Sequence, residues 1–498
     1  MSALQELGAL LRLRLLQLAA LAGLLATVGF IAVNSKYCVR DLDIWWHLKV
    51  GDWIVQNLAV PHTGILSRTA AHRPWVAYSW GYEILLSRAY AWFGLLGMGT
   101  FGVLLTLGVA YGIFWMLRCL AGRFWPALVL TAIACSAFLF DMMPRPGFFS
   151  ITLFSVTLAL ILEANRSGQV QKLYWLPLIF LFWSNLHIQF IYGLFLVGLF
   201  LGINLVQRVA AHFGIVPGFL APAAVPAGPL AIVFAACVLA TLVGPYSYHL
   251  YGVIAEYSRA KLTYSMIIEL QPLSFRSYSN YVELLLGAAG FFAVGRQKRV
   301  DLFKLALLVF ASAAAFRTMR DAWFLCIPAA ACIADVPVEE AEHEPRVTWP
   351  ELAGVFACVA LTLLLFARGT DFTTRGLDRA ISGTFPVNAV NFLRQNPPPG
   401  PLYNTFDWGG FLMWYMPQYP VSIDGRNDLY GDEMDAPAFK TDNGDPSYKT
   451  DPVLNEAGIV LLRKTDGLVS TLDLDPRFRK IYEDKIASVF VRASQDAR

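Results

Sequence analysis

The chain has 498 residues, 56% of them hydrophobic and only 15% charged, with a mean hydropathy of +0.51. A soluble globular chain carries about 25% charged residues, so this composition excludes that class and indicates a multi-pass membrane protein. The net charge of +3 comes without a dense basic stripe or a nucleic-acid motif, which sets nucleic acid aside as a partner. Its seven cysteines show neither a C-x-x-C pair nor zinc spacing.

The first apolar run, Leu13 to Val33, is long enough to cross a bilayer and is read as an uncleaved first span. Just past it stands RDLDIWWHLKVGDWI, Arg40 to Ile54. Asp41 and Asp43 lie one residue apart, followed by Trp45, Trp46, His47, Lys49 and Trp53. On a helix Asp43 and His47 share a face, and Trp46, Val50 and Trp53 form an apolar one. Tryptophan suits the water–lipid interface, so a short helix lying on the membrane is expected here. Two carboxylates at one spot can hold a divalent cation such as Mg or Mn, or one can act as a base tuned by the other. The alternative is that Asp43 caps the helix.

Further spans are expected at Leu95–Leu117, Phe124–Phe140 and Phe148–Leu162. Leu173–Val206 is too long for one crossing, so two spans are read as meeting in the polar turn WSNLHIQF, with Asn185 and His187. Runs at Leu230–Val243, Tyr281–Val294, a segment ending at Arg317, Ala322–Ala334 and Leu352–Phe366 complete about eleven spans. An acidic linker, DVPVEEAEHEP, precedes the last run.

Basic residues set the orientation. With Arg12 and Arg14 in the cytoplasm, Arg118, Arg166, Arg208 and Arg296 also fall inside. The first outer loop, with Arg40, Arg68 and Arg73, runs against the rule. This orientation gathers Asp41, Asp43, Arg145, Asn185, His187, Glu269, Arg317 and Arg320 at the outer face. Polar groups at such depth are costly and mark function. Arg317 and Arg320, three apart, are expected as helix neighbours with a phosphate between them; separate lipid headgroups are the alternative. Arg145 sits between two prolines and either snorkels to the interface or serves the same anion. Asn185 and His187 either bind substrate or satisfy each other between helices.

The residues after Gly369 read as a small soluble α/β domain. A helix at Val387–Arg394, strands at Leu402–Thr405, VSIDGR and IVLLRK, a short helix Trp408–Tyr415 and a final hairpin are expected. Asp407, Trp408, Gly409, Gly410, Asp424 and Arg426 fall where strands end, a usual place for binding groups.

DLDIWWHLKVGDWI resembles the signature D-P-D-x-W-W-H-L-x-x-G-x-W-I of a family of bacterial multi-pass proteins placed with the GT-C glycosyltransferases. The resemblance continues through VPHTGILS, PWVAYSWGYEIL, RPGFFS, WSNLH, GPYSYHLYG, IELQP and YNTFDWGGFLMWYMPQYPVSIDGRNDLYGDE, covering most of the chain in order. Leu42, Gly64 and Tyr78 depart from it, standing where Pro, Asp and His or Asn are common. A fainter likeness links DLDIWWH to the acidic first-loop motif of oligosaccharyltransferase catalytic subunits.

The resemblance implies an α-helical polytopic membrane protein of GT-C type. Residues 1–368 would form its transmembrane domain, with a catalytic outer loop at 34–93. Residues 369–498 would form a soluble extracytoplasmic α/β domain. It further implies a bacterial inner-membrane glycosyltransferase using a polyprenyl-phosphate-linked sugar donor and a glycan, lipid or protein acceptor. On that reading Asp43 is the base, and Asp41 tunes it or helps hold a cation. His47, Asn185 and His187 position the sugar by hydrogen bonds, and Trp45, Trp46 and Trp53 either line the sugar site or anchor the loop. Arg317, Arg320 and Arg145, with Glu269 nearby, serve the donor phosphate. Asp407, Asp424 and Arg426 line a C-terminal subsite. A transporter or flippase for a lipid-linked or anionic solute is the rival, but no repeat relates the two halves. A non-catalytic envelope scaffold is the third reading.

Overall fold

The computed structural model describes residues 3–35, 37–215, 217–259, 267–336 and 347–493. Most of the acidic linker before the last run lies outside them. Each expected apolar run is helical. Six helices are long and apolar enough to cross a membrane: Glu6–Arg40, Trp80–Ala121, Phe124–Asp141, Gly147–Ser167, Phe190–His212 and Trp349–Gly369. Leu176–Leu186, Ala227–Thr241, Leu302–Arg317 and Ala322–Ala334 are shorter than an upright crossing needs at 1.5 Å per residue.

The chain divides into two compact units, each discontinuous in sequence. One comprises 1–35, 102–244 and 269–371; the other comprises 36–101, 245–268 and 372–498. The acidic first loop thus belongs with the C-terminal residues.

In the first unit, the long apolar stretch after Leu173 breaks at His187, whose backbone is extended (φ −166°, ψ 145°). The chain re-enters a helix at Phe190. Thr318 is likewise extended (φ −142°, ψ 130°), so the helix Leu302–Arg317 stops there and Met319–Asp321 forms a separate 3₁₀ turn. The N-terminal helix Ala3–Ser35 packs along Trp349–Gly369, with Phe30 on Phe366 at 4.7 Å between ring centroids.

In the second unit, the helix Ile44–Asn57 follows Asp43, and a further helix begins at Trp80. The C-terminal part holds a four-stranded sheet of β1 (Leu402–Asn404), β2 (Ile459–Arg463), β3 (Phe478–Glu483) and β4 (Ala487–Arg492), in the order β1-β2-β4-β3. β1 and β2 are parallel, the other pairs antiparallel. One face buries Tyr403, Val460, Leu462, Leu468 and Phe490. The hairpin and IVLLRK strand lie as expected; VSIDGR does not form a strand. The Asn404 side chain donates to Ile423 O (2.8 Å) and accepts from Ser422 N (2.9 Å), taking the bonds a ladder needs. Val421 pairs instead with the first loop: Arg68 N donates to Val421 O at 2.8 Å.

Candidate functional site

The acidic stretch and the C-terminal glycine motifs, nearly 400 positions apart, meet in the second unit. Gly425, in SIDGR, lies so close to Asp43 that a Cβ there would stand 2.0 Å from Asp43 Oδ1. A Cβ on Gly410, in DWGG, would stand 3.0 Å from Trp46 N and 3.1 Å from Leu42 O. The missing Cβ leaves room for the Asp43 side chain at Gly425 and for the first-loop backbone at Gly410.

Asp43 occupies the N-cap position, but its side chain makes no cap bond. Its Oδ1 accepts the Trp46 indole N–H at 3.1 Å. Trp46 is stacked on His47, 3.5 Å between centroids. Asp43 is half-buried, whereas Asp41 is 1% exposed and its Oδ1 accepts the Asp43 amide at 3.1 Å. Asp41 therefore ties the loop, and Asp43 is the carboxylate of the pair more open to a ligand.

Three expectations for this stretch are corrected. Most of the face expected to meet lipid is buried in protein: Ile44, Trp45, Trp46, His47, Leu48, Val50, Gly51 and Ile54 are all buried, with Gly410 of the C-terminal segment against Trp46. Trp45 lines no sugar site, being fully buried edge-on against Phe385, Phe411 and Tyr415. The His47 backbone N–H donates to Asp43 O at 3.1 Å. Its imidazole is buried and faces Glu83, Nδ1 to Oε1 at 3.2 Å.

Asp424 and Arg426 do come together, as a two-pronged ion pair with both side chains 0% exposed. Tyr430 donates to the same carboxylate at 2.6 Å, and Arg426 Nη1 donates to Ile65 O at 3.0 Å. A pair so enclosed joins loop to domain and presents nothing to a ligand, correcting its expected binding role. Asp407 stands apart, paired with Arg463 on β2.

Residues that sequence reasoning did not single out complete this unit. Trp75 meets Trp46 edge-on (6.4 Å, 72°) and donates its indole N–H to Asp428 Oδ2 at 2.8 Å. The Arg426 guanidinium lies 4.8 Å above the Trp75 ring. Burial, then the Asp424 charge, pushes the Asp428 carboxyl up to about 6. Trp75 and Glu83 lie in PWVAYSWGYEIL and Asp428 in SIDGRNDLYGDE, so the quoted motifs contained them without marking their roles.

In the first unit, Arg145 and Arg320 converge on one carboxylate. Glu269 Oε1 lies 3.4 Å from Arg145 Nη1 and 3.9 Å from Arg320 Nη1. Burial alone would raise the Glu269 carboxyl, but Arg320 and then Arg145 outweigh it and hold it below the ordinary carboxylate range. Arg317 and Arg320 are not neighbours on one helix, because the chain leaves the helix at Thr318. Asp321 accepts from Tyr192 (2.7 Å) and Thr318 (2.9 Å). Asn185 and His187 diverge: Asn185 donates to Leu181 O and Val243 O, while His187 Nδ1 meets Ser150 Oγ at 2.9 Å.

Of the pair, Asp43 is the carboxylate with more room for a ligand or cation, since Asp41 is 1% exposed and its Oδ1 is taken by the Asp43 amide. Among the described residues no group of three or more His, Cys, Asp or Glu is arranged to hold a metal.

The fold of this chain is similar to that of solved oligosaccharyltransferase structures. The solved structures it resembles include the archaeal oligosaccharyltransferase AglB of Archaeoglobus fulgidus in complex with an inhibitory peptide and a dolichol-phosphate. The two share 12% identity and a TM-score of 0.53, over 98% of this chain and 75% of that one. The apo form of the same enzyme also gives 12% identity and 0.53, over 97% and 75%. At this identity the likeness defines the fold. No protein-family model matches the sequence, and no curated protein matches it.

Proposed function

We propose that this protein is a membrane glycosyltransferase that moves a sugar from a polyprenyl-phosphate-type lipid to an envelope acceptor on the extracytoplasmic face. The observation that carries this reading is the setting of Asp43. It is a half-buried carboxylate, oriented by the Trp46 indole and backed by Gly425 of a distant motif, in a chain of glycosyltransferase fold. The bound dolichol-phosphate of the AglB complex supports a lipid phosphate as carrier.

Asp43 accepts the proton of the acceptor hydroxyl as its oxygen bonds to the anomeric carbon. The bond from that carbon to the phosphate oxygen breaks, and its electrons leave with the lipid phosphate. Within the first unit, Arg145 and Arg320, held together by Glu269, and Arg317 offer positive charge suited to a lipid phosphate. A Mg or Mn ion, if used, would be held by Asp41 and Asp43 and would polarise the acceptor oxygen.

The test is Asp43→Asn in purified protein given undecaprenyl- or dolichyl-phosphate-linked hexoses. Loss of a positioned base costs about 10²–10⁴-fold in rate. Full transfer by the variant would falsify the assignment. A cysteine at Ser447, reacting with an impermeant thiol reagent in intact spheroplasts, tests the orientation. Reaction only after permeabilisation would place the C-terminal residues in the cytoplasm.

A further inference from the structure

Asp43 and Asp428 are held in matching ways. Each is a half-buried carboxylate that accepts an indole N–H, from Trp46 at 3.1 Å and from Trp75 at 2.8 Å. The two indoles pack edge to face. One carboxylate comes from the first loop, the other from the C-terminal segment. Beneath Trp75, Arg426 is fully buried and bound two-pronged to Asp424. Its charge is thereby taken up, and among the described residues Asp428 forms no ion pair of its own.

Burying Trp75 requires a partner for its N–H, but an amide oxygen or backbone carbonyl would serve. The structure instead places a carboxylate there, on a residue that is only half-buried. An ionised carboxylate only accepts hydrogen bonds, so its ligand must donate one.

We propose that Asp428 is the acceptor-binding carboxylate of this unit, holding a hydroxyl or ammonium group of the acceptor. It rests on the transferase reading, in which Asp43 acts on the acceptor. Asp428 grips a group beside the reacting hydroxyl, and the paired indoles fix its spacing from Asp43.

The test is binding to the purified full chain in detergent, by saturation-transfer NMR with two probes: a methyl glucoside and a methyl 2-amino-2-deoxyglucoside. Asp428→Asn keeps an oxygen for Trp75 and loses only the charge, so thermal unfolding should not come earlier. Its affinity should fall about tenfold or more, the usual worth of a charged hydrogen bond. Loss for both probes identifies hydroxyl recognition; loss for the amino sugar alone identifies ammonium recognition. Unchanged binding by Asp428→Asn, or no binding of either probe to the unaltered protein, overturns the proposal. Asp428-dependent binding in a protein that transfers no sugar would sink the transferase reading instead.

Discussion

The indole N–H of Trp46 donates to Asp43 Oδ1 at 3.1 Å, while the residue just before it, Trp45, is fully buried among Phe385, Phe411 and Tyr415. Adjacent tryptophans thus do different work: one orients a carboxylate, the other fills a core. Trp46→Phe keeps an aromatic ring over His47 and removes only the donor. Transfer kcat should fall about tenfold, as for loss of a hydrogen bond to a charged group, with little change in Tm. Trp45→Ala should instead lower stability by about 3–5 kcal/mol, seen as early thermal unfolding.

Two glycine substitutions should separate site from scaffold. A Cβ at Gly425 meets the tip of Asp43, a side chain that can rotate away. Gly425→Ala should therefore fold normally and lose transfer. A Cβ at Gly409 would stand 2.1 Å from Ile423 O, which is backbone and cannot swing aside. Gly409→Ala should unfold at lower temperature and express poorly. Equal activity loss and equal Tm for both would refute this distinction.

The buried Asp424–Arg426 pair yields a stability prediction. Arg426→Met strands Asp424 without its cation and should cost about 3–5 kcal/mol, measured by denaturant unfolding. Adding Asp424→Asn should recover part of that loss, because the stranded charge disappears. No recovery would mean that the bond to Ile65 O, not the ion pair, dominates.

For the arginine cluster, Glu269 occupies the place of an anion between Arg145 and Arg320. Titration with undecaprenyl phosphate lacking a sugar should show weaker binding for Arg145→Ala and Arg320→Ala. Glu269→Gln should bind several-fold tighter, because a competing carboxylate is gone. Arg320→Lys should restore only part, since an ammonium lacks the planar fork. Unchanged affinity in all four variants would remove this cluster from donor binding.

Asp435 is 3% exposed and both its carboxylate oxygens lack a hydrogen-bond partner. Burial first, then the charges of Asp424, Asp432 and Asp428, pushes it up to about 8 against an opposing pull from Arg73. A raised acid favours folding while it stays protonated. Between pH 4 (about where it ionises in the unfolded chain) and about 8, only the unfolded state has lost the proton, so stability falls as pH rises through that window. Asp435→Asn should therefore stabilise the protein at pH 7 by roughly 2–4 kcal/mol and flatten this slope. A pH-independent difference between the two proteins would refute the assignment.

The sequence by itself determined the multi-pass membrane class, the position of the apolar helices among the described residues and most of the small sheet. Those signals are local: a run of apolar residues or an alternating strand carries its own burial requirement wherever it lies. It also placed Asp43 and the C-terminal glycines in separate motifs, without showing that they touch. Tertiary structure alone decided that Trp46 serves Asp43 while Trp45 does not, and that His47 turns to Glu83. It alone buried Asp424 with Arg426, and it broke the helix at Thr318 so that Arg320 found Glu269 rather than Arg317. The reason is that a polar side chain entering the interior takes its partner from whatever group the fold brings within about 3 Å. That partner can lie hundreds of positions away, beyond the reach of any periodic pattern.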